Sequence, residues 1–263
     1  MLKTPVFQQK LQRYIKGIIG GVSSEIKEIK IPLPPIEVQE RIVEEIENYQ
    51  NIIDGAKKVV ESYKPTFKID KDWEMVELDA VSDKVTDGSH FSPKTVSEGY
   101  PYITVRDVVD NEINFKDCEY VTEQDYLELK KNDCQPLKDD LLFSKDGTVG
   151  KVAYVDFEKE FVILSSLAII RPNKNKILPK FLKYILQSDL FFNQAIENKT
   201  GVAIRRIVLK TLKIIKIPLP PLEIQKEIVA RIDEEQKLVY ANKKLIELFE
   251  KKIADKIAEV WGE

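Results

Sequence analysis

The chain has 263 residues, 43% of them hydrophobic and 32% charged, with a net charge of −3. It is too apolar to be disordered, is long enough for one core of ordinary size plus an extension, and carries no overall basic excess that would announce a nucleic-acid binder. Cys118 and Cys134 are the two cysteines, without a Cys-x-x-Cys, and His90 is the single histidine, so neither a disulfide framework nor a zinc site is indicated and a reducing, cytoplasmic setting is expected.

In chain order, residues 1–30 read as the end of a structural unit: Phe7-Gln8-Gln9, then Gly17, then Lys30-Ile31-Pro32. The same succession returns as Phe192-Asn193-Gln194, Gly201 and Lys216-Ile217-Pro218. The six residues Lys30-Ile31-Pro32-Leu33-Pro34-Pro35 recur at Lys216-Ile217-Pro218-Leu219-Pro220-Pro221. Proline fixes φ and lacks an N–H, so each run ends one element and leaves its last Pro near the first turn of a helix. One helix is predicted from Ile36 to about Lys64, where Pro65 disfavours helix, and a second from Leu222 to about Val260. In the first, Ile42, Ile46, Tyr49, Ile53, Ala56, Val60 and Tyr63 step by fours and threes, the seam of a coiled coil. Ile228, Ile232, Val239, Ile246, Phe249 and Ile253 do the same in the second, with Glu235 and Asn242 as polar interruptions. The matched pair predicts helices that pack on each other as a spacer.

Between the helices the pattern is that of strands and turns. Strands are expected at 73–78, 100–105 and 137–144, a hairpin turn at Lys145-Asp146-Gly147-Thr148, and a return strand over 149–155. The apolar run 161–170 reads as one buried strand, 123–131 as a short helix, and 178–196 as helical. Asp87-Gly88-Ser89-His90 lies in a dense turn cluster. The fold class is α/β (α+β) with a mixed sheet. The longest apolar run is far short of a membrane span, and the N-terminal residues have no signal-peptide core.

No catalytic constellation is present in the pattern. Gly147-Thr148-Val149-Gly150-Lys151-Val152 lacks the spacing and the hydroxyl of a phosphate-binding loop, and there is no Gly-x-Ser-x-Gly and no metal-ligand pair. What remains is recognition chemistry. Ser89 with His90, Lys145 with Asp146, and Arg205 with Arg206 occupy predicted loops, and residues 197–216 hold one acid against Lys199, Arg205, Arg206, Lys210, Lys213 and Lys216. Such side chains read base edges or phosphates.

Four motifs carry a resemblance that covers essentially the whole chain: the repeated Ile-Pro-Leu-Pro-Pro helix start at 31–43 and 217–229; Asp87-Gly88-Ser89-His90 followed by Pro93; residues 141–151 (Leu-Leu-Phe-Ser-Lys-Asp-Gly-Thr-Val-Gly-Lys); and residues 200–207 (Thr-Gly-Val-Ala-Ile-Arg-Arg-Ile). The chain resembles the DNA-specificity (S) subunit of type I restriction-modification enzymes, in which two target-recognition domains are held apart by two antiparallel helices. The resemblance implies a C-terminal remnant of a first recognition domain at 1–30, a first spacer helix at 31–65, a complete recognition domain at 66–216 and a second spacer helix at 217–263. The body of a first recognition domain is missing from this pattern, so a truncated or split subunit is expected.

The resemblance further implies a non-enzymatic subunit without cofactor or metal. It would read one half of a split site on double-stranded DNA, and dock methyltransferase (M) subunits and, through them, the restriction (R) subunit. A two-fold homodimer would supply two readers and a palindromic split site; the alternative is that the two helices pack within one chain and a separate polypeptide supplies the missing domain. Ser89, His90, Lys145, Thr148, Arg205 and Arg206 are the expected DNA contacts, with Asp87, Gly88, Asp146 and Gly147 shaping their loops. The competing reading is a coiled-coil adaptor whose central domain binds protein; basic residues exposed between 199 and 216 favour DNA, and their burial favours the adaptor.

Overall fold

The structure, a computed structural model, describes residues 15–16, 21–22, 32–197 and 206–261. Its chain forms two compact units, one of residues 1–64 with 234–263 and one of residues 65–233.

The second unit holds most of the sheet structure. Strands β3 (Glu74–Glu77), β4 (Ser82–Asp87), β5 (Tyr100–Ile103), β6 (Val108–Val109), β7 (Glu112–Ile113) and β8 (Glu119–Val121) precede helix α2 (Glu123–Lys131). Then come β9 (Leu141–Ser144), β10 (Val152–Tyr154), β11 (Val162–Ile163), β12 (Leu167–Pro172), α3 (Pro179–Leu186), α4 (Asp189–Glu197), α5 (Leu209–Ile214) and β13 (Lys216–Leu219). The central sheet runs β10-β9-β12-β4, antiparallel throughout. A smaller sheet runs β11-β5-β8, with β11 parallel and β8 antiparallel to β5, and the apolar strand of the second proline repeat, β13, pairs antiparallel with β3.

Both faces of the central sheet are covered, which is why its inner strands read as unbroken apolar runs. Alternation along each strand divides the side chains. Leu141, Phe143, Val152, Ala168 and Ile170 face a core completed by Phe181, Leu182, Ile185, Phe191 and Leu212 from α3, α4 and α5. Leu142, Ala153, Leu167 and Ile169 face the opposite way, onto Ile103, Val108, Phe161 and Ile163. Helix α2 shows the local chemistry that starts and stops a helix. The Thr122 hydroxyl accepts from the Asp125 N–H at 3.2 Å, acids occupy the first turn and Lys130 and Lys131 the last.

Two expectations, the strands at 161–170 and 149–155, are corrected, and the helical stretch 178–196 is divided. The run 161–170 is two strands in two sheets, because Ser165 and Ser166 turn the chain between β11 and β12. The stretch 178–196 is two helices, broken at Gln187 and Ser188, where the Ser188 hydroxyl donates back to the Ile185 carbonyl at 2.6 Å. The return strand of the 145–148 turn begins only at Val152: the loop takes residues 145–151, and the Ser144 side chain fills its interior, donating to the Thr148 carbonyl at 2.6 Å and accepting from the Lys151 N–H at 2.7 Å.

In the other unit, β1 (Ile15–Lys16) and β2 (Gly21–Val22) pair antiparallel, and α1 (Ile36–Ser62) packs against the residues of α6 (Leu222–Trp261) that follow Asp233. The packing is antiparallel. The Tyr49 and Phe249 rings lie 5.2 Å apart, Tyr63 Oη donates to Glu235 Oε2 at 3.0 Å, and Lys256 meets Glu45 at 3.0 Å. Ile53 and Ala56 of the predicted seam are buried, and Glu235, an interruption in an apolar seam, is the acceptor for Tyr63. Ile228 and Ile232 depart from the seam expectation, because they belong to the core of the sheet unit. One chemical reason for the glutamine five residues after Pro34 and after Pro220 is visible in both copies. Gln39 Nε2 donates to the Pro34 carbonyl at 2.7 Å and Gln225 Nε2 to the Pro220 carbonyl at 2.8 Å, so each Gln closes its own helix start.

Candidate nucleic-acid interface

The antiparallel central sheet brings the C-terminal ends of β4 and β9 and the N-terminal ends of β10 and β12 to one side. Loops that are distant in sequence therefore meet there: 87–90 after β4, 145–151 between β9 and β10, and Ser165-Ser166 before β12. Arg206 joins them through a bridge to Asp146, secured by the Ile207 N–H donating to the Lys145 carbonyl at 2.7 Å.

Residues 87–90 lie flat on neighbouring backbone. The Ser89 N–H donates to the Ile163 carbonyl at 2.8 Å, the Ser165 N–H to the Ser89 carbonyl at 2.8 Å, and the Gly88 N–H to the Leu167 carbonyl at 3.1 Å. A Cβ on Gly88 would lie 2.4 Å from the Leu164 carbonyl oxygen, so glycine is required by this approach. The Ser89 side chain is buried, donates to the Phe91 carbonyl and accepts from the Phe91 N–H at 3.1 Å. Expected as a contact, Ser89 has its side chain bonded within its own loop. His90 is 63% exposed, with Nε2 3.2 Å from Asp87 Oδ2.

Lys145 was also expected as a contact, and its side chain is only 1% exposed. Its Nζ lies 3.2 Å from Asp87 Oδ1, and its N–H donates to the Ser166 carbonyl at 3.0 Å. Burying a lone ammonium is costly, and the Asp87 carboxylate neutralises it. Asp146 and Gly147 shape the tip: the Gly147 N–H donates to Asp146 Oδ1 at 2.8 Å, and Gly147 has φ +70°, which favours glycine. Thr148 is exposed at that tip. The Arg206 side chain is 51% exposed, with Nε 3.9 Å from Asp146 Oδ2. Arg205 and Lys199 lie outside the described residues. In the described part of the basic stretch Ile207, Leu212 and Ile215 are buried and Val208 and Ile214 exposed, while Arg206, Lys210 and Lys216 are exposed and Lys213 pairs with Asp79 at 3.3 Å.

Lys151 and Ser144 hold this end of the sheet as well, and neither was among the residues expected at the site. Lys151 Nζ donates to the Val105 and Val108 carbonyls at 3.1 and 2.6 Å, tying a short 3-10 turn beside the hairpin. That turn presents Arg106, which is paired with Glu119 at 3.0 Å. Among the described residues no group of three or more His, Cys, Asp or Glu could hold a metal ion, and no helix is long and apolar enough to cross a membrane.

Residues 70–251 match the family described as the type I restriction modification DNA specificity domain. A chain of Methanocaldococcus jannaschii assigned as the MjaX specificity subunit of a type I restriction enzyme is 32% identical over 195 residues, 70% of this chain and 44% of that one. The EcoBI specificity subunit of Escherichia coli is 28% identical over 165 residues, 63% of this chain and 33% of that one. The chain thus spans less than half the length of either relative. A solved chain described under the assembly and conformational transition of the type I restriction-modification system superposes with a TM-score of 0.59 at 20% identity, covering 97% of this chain and 67% of that one, an agreement of fold. The repeated proline-started helices, the sheet unit between them and the family match lead to one conclusion: this chain belongs to the type I restriction-modification DNA specificity family.

Proposed function

We propose that the sheet unit reads a half-site on double-stranded DNA through the loop end of the central sheet, and that the chain acts as a non-catalytic specificity subunit. The observation that carries this reading is the convergence of loops 87–90 and 145–151 with Arg206 at one sheet end, where His90, Thr148 and Arg206 are exposed. Exposed cationic and hydrogen-bonding side chains on a rigid platform suit groove reading, in which phosphate contacts position the protein and base contacts specify. The exposure of Arg206, Lys210 and Lys216 supports DNA over the adaptor reading. Selection of randomised duplexes on the immobilised chain tests it: enrichment of a common motif is expected, and an unenriched pool would refute sequence reading.

The domain organisation we propose follows the internal repeat: residues 1–30 as the C-terminal part of a first recognition domain, 31–65 and 217–263 as the spacer helices, and 66–216 as a recognition domain. Ile224 and Ile228, after the second proline run, pack in or against the sheet unit's core. Val38 and Ile42, their counterparts in the first copy, line a groove with Pro32, Pro34 and Lys256. That groove would seat an equivalent domain. On this reading the helix pair docks M subunits and, through them, the R subunit, and a second copy of the chain supplies the second reader. Because α1 and α6 already pair within one chain, self-association would use their outer sides. Light scattering reads this directly: a mass near twice 30.4 kDa is expected, and a persistent monomer at micromolar concentration would refute self-association.

A further inference from the structure

Lys145 has a position that a DNA contact would not require. Its backbone and side chain together touch each segment of the loop end. The N–H reaches Ser166, the carbonyl receives Ile207, which follows Arg206, and Nζ reaches Asp87, whose chain continues into His90. Asp87 is shared in turn, with Oδ1 3.2 Å from buried Lys145 Nζ and Oδ2 3.2 Å from exposed His90 Nε2. Oδ1 of Asp87 and Oγ of Ser166 are buried without an aligned hydrogen bond, so the pairing of Asp87 with Lys145 is chiefly one of charge.

A charge buried at the junction of loops tolerates few arrangements. Moving β4's end away from β9's would leave the buried Lys145 ammonium without its counter-charge, so the pair penalises other loop geometries. We propose that Asp87 and Lys145 are a positioning pair: neither touches DNA, and together they lock the loops carrying His90, Thr148 and Arg206 into the one arrangement that discriminates sequence. The proposal rests on the DNA-reading function above.

The test uses the full chain, the selected duplex and its scrambled counterpart, with Lys145→Met, Asp87→Asn and the double variant. Each single variant loses discrimination between the two duplexes by roughly ten- to hundred-fold, the worth of one or more misread bases. The slope of log affinity against log salt stays that of the wild type, because no phosphate contact is removed. The double variant, which leaves no unpaired buried charge and so folds even where a single one does not, loses no more than either single variant. A slope reduced by about 0.9 in Lys145→Met would make Lys145 a phosphate contact and overturn the proposal. So would tighter binding by Asp87→Asn, or losses that add in the double variant.

Hydrogen exchange without DNA gives an independent arm. Faster exchange of the Ser89, Lys145 and Ile207 amides in Asp87→Asn is expected, and unchanged protection would overturn the locking role. A wild type that prefers no duplex would sink the DNA reading, and the exchange arm would still decide the pair.

Discussion

Replacing Gly88 by Ala is the sharpest perturbation of the loop end, because the obstacle is backbone. The added Cβ would meet the Leu164 and Ile163 carbonyl oxygens at 2.4 and 2.5 Å, well inside any contact that real Cβ atoms make. Neither oxygen can rotate away, since Ile163 lies in β11 and its carbonyl already receives the Ser89 N–H. Residues 87–89 must lift. Doing so loosens the hydrogen bonds Gly88 to Leu167, Ser89 to Ile163 and Ser165 to Ser89. At about 0.5–1.5 kcal/mol for each, the loss is roughly 2–4 kcal/mol. For a unit of this size each kcal/mol lowers Tm by about 2–4 °C, so a drop of roughly 5–15 °C is expected in a circular-dichroism melt. The lifted loop also moves His90, so discrimination between selected and scrambled duplexes should fall in the same variant. A Tm within about 2 °C of the wild type, with discrimination intact, would refute the close approach as the reason for glycine.

Arg206→Ala should weaken binding to every duplex and lower the salt slope by about 1 if the guanidinium meets phosphate, and should relax one position of the selected motif if it meets a base. Ile53→Ala removes a fully buried side chain from the helix pair; denaturant titration should show a loss of about 2–5 kcal/mol in that unit, and a loss below roughly 0.5 kcal/mol would mean that α1 is not packed there. Burial of the Asp233 carboxylate works upward on its pKa, but hydrogen bonds from Lys180 Nζ and Tyr184 Oη, both at 2.7 Å, outweigh it and hold the group below the ordinary carboxylate value. A depressed folded pKa contributes stability that is present above the unfolded value of about 3.9 and is lost as pH falls through the folded one. Asp233→Asn should therefore flatten the stability profile below about pH 4, and an unchanged profile would contradict that pairing.

The repeat made the two helices legible: proline fixes both starts, and the stripe from Ile42 to Val60 follows the helical period. Helix α2 was legible to the residue because Thr122 and the charge order mark both ends. The run 161–170 was misread because continuous apolar residues look alike whether they lie in one buried strand or two. Only the Ser165-Ser166 turn separates β11 from β12; the Leu167 N–H closes it on the Leu164 carbonyl, and long-range hydrogen bonds to Ser89 and Lys145 hold it in place. Ile228 and Ile232 kept the seam's spacing while facing another core, since spacing reports a face and not its partner. At the loop end the residue types were visible in sequence, but their division of labour was not. Ser89 and Lys145 read as contacts in sequence and have buried side chains in the structure, and Lys151, tied to Val105 and Val108, bonds to carbonyls that no local pattern identifies.

The most direct test of the central claim is fluorescence anisotropy of the chain on its selected duplex and on a scrambled one across a salt series. Affinity should fall steeply and log-linearly with salt on both, by about 0.9 in slope per phosphate contacted, while the selected duplex stays tighter by at least roughly 10³-fold. Binding that is independent of salt, or equal on the two duplexes, would contradict a loop end built to read DNA.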